Sequence, residues 1–388
     1  MKKVGIIIGG RTVEHEVSII TGLQIYDNID RTKYQPYVIY IDKKGKWNIG
    51  DSLGDINTYK NKSFDGITEV IPWQNFDKKN TLTLHPNPDL KQGLFAKKRE
   101  KLEVEVVIPA VHGTSVEDGA LQGILESCEV PYCFTGVKAS ALGMDKVSMK
   151  KIFHAENLPM VDHIWFYRSQ YRKDQEQYLE KAESIGYPLI VKPANLGSSV
   201  GISKATNREE LMESIEVALS YDKKILVEQC IENLREINCA VIGYEDDVEA
   251  SLCEEPIGWE EFLKYEDKYM SGKKGKGSGE DKRIIPADIP DEVSQRIREL
   301  AKKAFMAIDA SGTSRVDFLY DNKNIYVNEI NTIPGSISFY LWEPSGLPFK
   351  ELITRLIEIA ETRHNDEAEN IVSYDIDLLN NMAKGAKN

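Results

Sequence analysis

Apolar positions along the chain fall into short blocks whose period switches between that of a strand and that of a helix. "KKVGIIIGGRTVEHEVSIITGLQIYDNI" passes from an apolar strand through a Gly-Gly turn into a helix with Val17, Ile20, Leu23 and Ile25 near helical spacing. This is the opening βα unit of a parallel sheet. "LEVEVVIPAVHGTSVEDGALQGILE" repeats it, with a strand ending at Ala110, a loop, and a helix carrying Leu121, Ile124 and Leu125. Between the two units, roughly residues 43 to 100 are rich in Lys, Asn, Asp and Gly and show strand-like pieces without a helical period, which reads as a surface elaboration of the first domain. "VPYCFTG" reads as the exit from that domain. Further on, "KKILVEQCIENLREINCAVIG" reads as two strands around a hinge, and "SRVDFLYDNKNIYVNEIN" as two alternating runs around the turn "DNKN", a hairpin.

The hairpin carries candidate chemistry. On its second strand Val327, Ile330 and Ile333 are the apolar positions, while Glu329 and Asn331, two residues apart, project to one side. Folding the hairpin brings Asp317 towards Glu329. An Asp/Glu/Asn set of oxygens suits Mg²⁺, which takes few protein carboxylates and shares its shell with phosphates; a solvated polar face is the alternative for the strand taken alone. In "GYPLIVKPANLGSSVGISKA" a strand ends in Lys192-Pro193, and the loop Gly197-Ser198-Ser199-Val200-Gly201 precedes a second strand near Ile202. Such a loop offers N–H groups and hydroxyls to phosphate, and the lysine adds a point charge. It is not a Walker motif, because GxxxxGK[ST] is absent and strands flank it. With the metal-type triad downstream, nucleotide binding is the better reading. Glu14, His15 and Glu16 stand at a helix start, where they either cap the helix or bind a substrate ammonium. His112 and Glu117 lie in a loop at the carboxyl end of a parallel strand, where such sheets bind ligands.

Composition narrows the classes. The chain has 388 residues, 41% hydrophobic and 29% charged, enough for two or three globular domains. No stretch has the length of a membrane span, and the start lacks a signal h-region. Five scattered cysteines, Cys128, Cys133, Cys230, Cys239 and Cys253, read as packing residues in a reducing, cytoplasmic setting. A net charge of -13 excludes general nucleic-acid binding, which needs a basic face, but not ATP.

Six ordered blocks, "IIIGGRTVEHEVS", "HGTSVEDGALQGILE", "ASALGMDKVSMK", "PLIVKPANLGSSVGI", "KYEDKY" and "SRVDF" with "VNEINTIPG", resemble the D-alanine:D-alanine ligase family of the ATP-grasp superfamily along nearly the whole chain. The resemblance implies an α/β and α+β, three-domain ATP-grasp architecture. The domains are an N-terminal Rossmann-like parallel-sheet domain over about residues 1–134, a central subdomain over about 135–231 and a C-terminal domain over about 232–388 with a lid near 264–285. It implies ATP-dependent phosphorylation of a D-amino acid carboxylate and attack of a second amine on the acyl phosphate. The product would be D-alanyl-D-alanine for peptidoglycan synthesis, with ligation to D-serine or D-lactate as the alternative. A cytoplasmic homodimer through the first domain is implied too.

By position, the resemblance assigns Lys146 and Lys192 to ATP phosphates, Ser198 and Ser199 to the loop over them, and Glu228 and Glu236 to adenine and ribose. Asp317, Glu329 and Asn331 hold Mg²⁺ or Mn²⁺, Arg315 steadies the acyl phosphate, and Glu16 binds the first ammonium with His112 close by. Lys268 and Tyr269 begin the lid. Gly335 and either Ser336 or Ser338 bind the acceptor carboxylate. The chain departs from the family pattern at Val116, where a glycine is usual, and in a shorter stretch between "NTIPG" and "LW".

Overall fold

The first apolar run forms β1 (Lys2–Gly9), which pairs in parallel with β2 (Tyr34–Ile41) and β7 (Val106–Pro109). A computed structural model of the chain describes residues 1–73, 78–89, 101–197, 200–256, 283–371 and 373. In it the segment between the two βα units is more than a surface elaboration: β3 (Trp47–Ile49), β4 (Thr68–Trp73), β5 (Leu82–Pro86) and β6 (Leu102–Val104) add antiparallel strands to the same sheet. The strand order is β6-β5-β4-β3-β2-β1-β7. A short helix, Ile56–Lys60, also forms there without any helical period, started by the Asp55 carboxylate accepting from the Asn57 N–H at 2.8 Å.

Helix His15–Asn28 follows β1 and buries Leu23 and Ile25 as their spacing suggests, but not Ile20. Ile20 is 51% exposed, whereas Ser18, Ile19, Gly22, Leu23 and Ile25 are buried. Gly22 decides this, since a Cβ there would fall 2.0 Å from Ile8 Cγ2; the helix sits close on the sheet along its smallest residues. Ile124, 40% exposed, likewise lies off the buried face of helix Ala120–Ser127, which uses Leu121 and Leu125.

The second sheet consists of β8 (His163–Tyr167), β9 (Leu189–Pro193), β10 (Ser203–Ala205) and β11 (Lys224–Gln229), antiparallel in the order β10-β9-β11-β8. Helices Gln175–Glu183 and Arg208–Tyr221 cover it through Leu179, Leu211 and Ile215. The third sheet holds β12 (Arg235–Tyr244), β13 (Asp247–Pro256), β14 (Arg283–Ile284), β15 (Gly312–Tyr320) and β16 (Ile325–Asn331), in the order β14-β13-β12-β15-β16. Helix Asp291–Ala307 packs on it with Ile297, Leu300 and Phe305.

Helix Phe349–Glu367 shares a core with the first sheet and ties it to the third. Its Arg363 is buried and donates to the carbonyls of Tyr132 (3.1 Å) and Phe134 and to Ser311 Oγ (2.7 Å). The exit segment of the first domain is therefore held both by these side-chain donors and by a parallel bridge between Tyr132 and Val107, with the Val107 N–H on the Pro131 carbonyl and the Cys133 N–H on the Val107 carbonyl, each at 2.9 Å.

The β15/β16 hairpin forms as its pattern suggests, with Asp321 Oδ1 accepting from the N–H groups of Lys323 and Asn324 in the turn. Strict alternation cannot bury both Val327 and Ile330, which are three apart, yet both are buried. A bulge resolves the conflict: Phe318 faces Val327 while Asp317 faces Glu329, leaving Asn328 as the extra residue. All five cysteines are free, and four are buried.

Candidate active site

The bulge places Asp317 directly opposite Glu329, and Arg315 opposite Asn331, on one face of the hairpin. Arg315 grips Asp317 through two bonds, Nε to Oδ1 at 2.6 Å and Nη2 to Oδ2 at 2.8 Å, and Asn331 Nδ2 donates to Oδ2 at 2.9 Å. Burial pushes the Asp317 carboxyl up although Arg315 pulls it down. Burial also works against ionising Glu329, but Lys146 and Lys192 hold its carboxyl below the usual range. Neighbouring Glu236 is pushed up to about 8 by burial and by the Asp317 charge. Tyr340 adds an outer layer, its hydroxyl receiving from Arg315 Nη1 at 3.4 Å and donating to Glu254 at 3.3 Å.

Cations face this acidic corner from the second sheet. Lys192, at the end of β9, pairs with Glu228 and donates to Asn328 Oδ1 at 3.3 Å, so the bulged residue becomes the link between hairpin and lysine. Lys146 opens helix Lys146–Ala155, donating to the Leu196 carbonyl at 2.9 Å and lying 3.4 Å from Glu329. Glu228 also pairs with Lys150 at 2.6 Å. Burial opposes the Glu228 charge, yet the two ammonium groups hold its carboxyl down to about 2.

Loops of the first sheet close the third side. Gly9 and Gly10 make a turn only glycine tolerates, with φ of 83° and 116° and the Gly10 N–H on the Ile41 carbonyl at 2.7 Å. Val116, in place of the glycine usual in the resembled pattern, is buried against that turn, 2.8 Å from where a Gly10 Cβ would stand. Glu14 precedes the helix and makes no side-chain cap bond. Its Oε2 lies against two glycines: a Cβ at Gly113 would be 2.7 Å away, and one at Gly197 3.0 Å. Glu117 accepts from the Gly113 N–H at 2.9 Å and the Ile333 N–H at 3.2 Å, and burial with the Glu14 charge pushes it up to about 8.

His112 links the same loop to the segment after β16. Its Nδ1–H donates to the Ile333 carbonyl at 3.0 Å, so Nε2 accepts from the Thr21 hydroxyl at 2.9 Å, and Thr21 Oγ1 receives the Ser336 N–H at 3.1 Å. Burial holds His112 down to about 4, which suits this neutral tautomer. Ser336, Ile337 and Ser338 all have left-handed backbone, φ of 51°, 46° and 54°, a conformation that costs about 1–2 kcal/mol per non-glycine residue. The short segment turns back this tightly to reach the His112–Thr21 bracket. Ser338 is fully buried and its hydroxyl has no partner among the described residues, while a Cβ at Gly335 would meet nothing within 4 Å.

Comparison with known proteins fits this three-sided cleft. The family described as D-ala D-ala ligase N-terminus matches residues 3–135, and that described as D-ala D-ala ligase C-terminus matches residues 152–358. The chain belongs to the D-alanine–D-alanine ligase family. It is 38% identical over 380 residues to the D-alanine–D-alanine ligase of Thermosipho africanus, covering 98% of each chain, and 40% identical over 374 residues to that of Thermoanaerobacter sp. strain X514, covering 94% of this chain and 98% of the relative. Among solved structures, the D-alanine-D-alanine ligase of Coxiella burnetii aligns with a TM-score of 0.75 at 29% identity, covering 95% of this chain and 98% of that one. The VanG D-Ala:D-Ser ligase of Enterococcus faecalis aligns with the same score at 28% identity, covering 92% and 99%.

Of the site residues expected for this ligase family, Lys146, Lys192, Glu228, Glu236, Arg315, Asp317, Glu329 and Asn331 converge on the cleft. Gly335, Ser336, Ser338 and His112 lie beside it. Glu16 does not. Its side chain is 65% exposed and pairs with Lys43 at 2.6 Å, because two residues of helix, about 200° of rotation, turn it to the side opposite Glu14. His15 is also withdrawn, with Nδ1–H donating to the Gly10 carbonyl at 2.7 Å and Nε2 near the Tyr40 hydroxyl at 3.2 Å. Ser198, Ser199, Lys268, Tyr269 and the expected lid lie outside the described residues. Thr21, Asn328, Lys150 and Tyr340 were missed. Only the odd spacing of Val327 and Ile330 offered a signal, for the bulge at Asn328.

Proposed function

We propose that this chain uses ATP to join two D-alanine molecules into D-alanyl-D-alanine. The observation that carries the reading is the convergence of Lys146 and Lys192 on the Arg315–Asp317–Glu329–Asn331 face, with Glu14 across the cleft. Lysines on one wall hold phosphates, and a hard-oxygen set opposite them holds the accompanying cation. The donors fit Mg²⁺ or Mn²⁺: two carboxylates and an amide whose Nδ2 is used on Asp317, leaving its oxygen as acceptor. When bound, the cation neutralises charge on the phosphates.

Glu14 holds the ammonium of the first D-alanine so that its carboxylate faces the terminal phosphate. The carboxylate oxygen bonds to phosphorus and ADP leaves; the second amine then bonds to the acyl carbon and phosphate leaves. Arg315, rigidly held by Asp317, is a fixed positive group for the oxygens that gain charge in both steps. The three sheets support a division near residues 134 and 231, with the cleft between all three parts. Assembly as a homodimer, a cytoplasmic setting and a role in cell-wall precursor synthesis complete the reading; no helix among the described residues is long and apolar enough to cross a membrane.

Mass analysis of the product tests this directly. With ATP, Mg²⁺ and D-alanine alone, one dipeptide is expected per phosphate released, and D-serine or D-lactate offered in equal amounts should not displace it. A mixed product as the main species would sink the D-alanine acceptor.

The Ser338 hydroxyl, buried without a partner among the described residues, supports a role for Ser338 in holding the acceptor carboxylate. Ser338→Ala should raise the acceptor's KM by roughly tenfold to a hundredfold, since a hydrogen bond to a charged group contributes about 1.5–3 kcal/mol, with the KM for ATP little changed. Ser336 presents its N–H to Thr21, and Ser336→Ala is expected to have the smaller effect. The opposite ranking in steady-state kinetics would move the role to Ser336.

A further inference from the structure

Lys150 takes no part in the chemistry above, yet it is the most deeply buried lysine among the described residues, 1% exposed. Burying an ammonium is costly unless a counter-charge lies close. Helix Lys146–Ala155 carries Lys146 and Lys150 one turn apart on one face, and delivers Lys150 to within 2.6 Å of Glu228 Oε1. Lys192 reaches the other oxygen of the same carboxylate. On the sheet, Lys192 is opposite Leu226, and Glu228 lies two residues along, so both side chains share the face that meets the helix. Burial works against the Lys150 ammonium and Glu228 works for it. One carboxylate is thus shared between two ammonium groups, and the trio carries a net positive charge.

We propose that Lys150 is a positioning residue of the nucleotide site: by occupying one oxygen of Glu228 it stops that carboxylate from neutralising Lys192, which stays available to phosphate. The inference rests on the cleft being a nucleotide site. Without Lys150, Glu228 and Lys192 become a closed, neutral ion pair in a water-poor setting. ATP must then break that pair to gain the lysine. A purely structural role for Lys150 would instead lower stability and leave nucleotide affinity unchanged.

The test is calorimetric titration of the full-length protein with Mg²⁺ and the β,γ-methylene analogue of ATP, without amino acids, alongside thermal melts. Lys150→Met is expected to weaken binding roughly tenfold to a hundredfold, and Lys150→Arg to stay near wild type. In turnover, Lys150→Met should raise the KM for ATP and leave that for D-alanine unchanged. Unchanged binding by a folded Lys150→Met protein, or a Lys150→Arg protein that binds as weakly as Lys150→Met, would overturn the role. Should Lys150→Met not fold, Lys150→Gln, which keeps a donor for Glu228 without the charge, is titrated in its place: weakened binding supports the proposal and wild-type binding overturns it. Failure of the wild-type protein to bind the analogue would remove the nucleotide reading itself, whereas a failed ligation assay with intact binding would touch only the amino-acid substrates.

Discussion

Replacing Asp317 by asparagine or Glu329 by glutamine is expected to abolish phosphate release at saturating Mg²⁺ while the protein stays folded. Each change keeps the side chain's shape and removes one negative charge from a site with only two such oxygens facing each other across the hairpin. A hard cation bridging protein and phosphate depends on that charge. Losing it removes about 3–4 kcal/mol of transition-state stabilisation, on the order of a hundredfold to a thousandfold in rate. The fold should tolerate Asp317→Asn because the amide oxygen still accepts from Arg315. A phosphate-release assay beside a thermal melt reads both halves. Near-normal turnover in either variant would show that the cation is held elsewhere.

Glu14→Gln should raise the KM for the first D-alanine by roughly tenfold to a hundredfold, whereas Glu16→Gln should change nothing beyond experimental error. The first removes the charge proposed to hold the ammonium, and a charge-assisted bond of that kind contributes about 1.5–3 kcal/mol. The second removes a partner from the exposed pair with Lys43, and exposed pairs contribute about 0–1 kcal/mol. Initial rates at low D-alanine separate the two variants cleanly. An effect confined to Glu16→Gln would mean that the helix start turns its other side to the substrate.

The difference between these two glutamates shows where reading the chain stops. "VEHEVS" reveals carboxylates at a helix start but not which one points inward. That depends on how the helix is rotated, and the rotation follows from Gly22 settling on Ile8. Ile20 was misplaced for the same cause, since a contact between small residues has no signature in hydrophobic period. The antiparallel strands β3 to β6 escape the pattern for another reason: each pairs with its neighbour along the chain, but runs this short carry too little alternation to announce a strand. His112 shows a third limit. Its loop was legible, but its role as a bracket required Thr21 and Ile333, distant in sequence, to meet at its two nitrogens.

Local pattern alone places the βα units, the hairpin that carries Asp317, Glu329 and Asn331, the lysine at the end of β9 and the order of the family's blocks. These depend on local periodicity and on side chains fixed within a few residues of each other, which the strand and helix repeats dictate. The packed fold was needed to set Asp317 opposite Glu329 through the bulge at Asn328, to join Asn328 to Lys192, to share Glu228 between Lys150 and Lys192, and to anchor the tight Ser336–Ser338 turn on Thr21. Each of these is a contact between separate elements, set by packing distance and by the need to satisfy buried polar groups; the spacing of Val327 and Ile330 hints at the bulge, but no residue on one side alone shows what it meets.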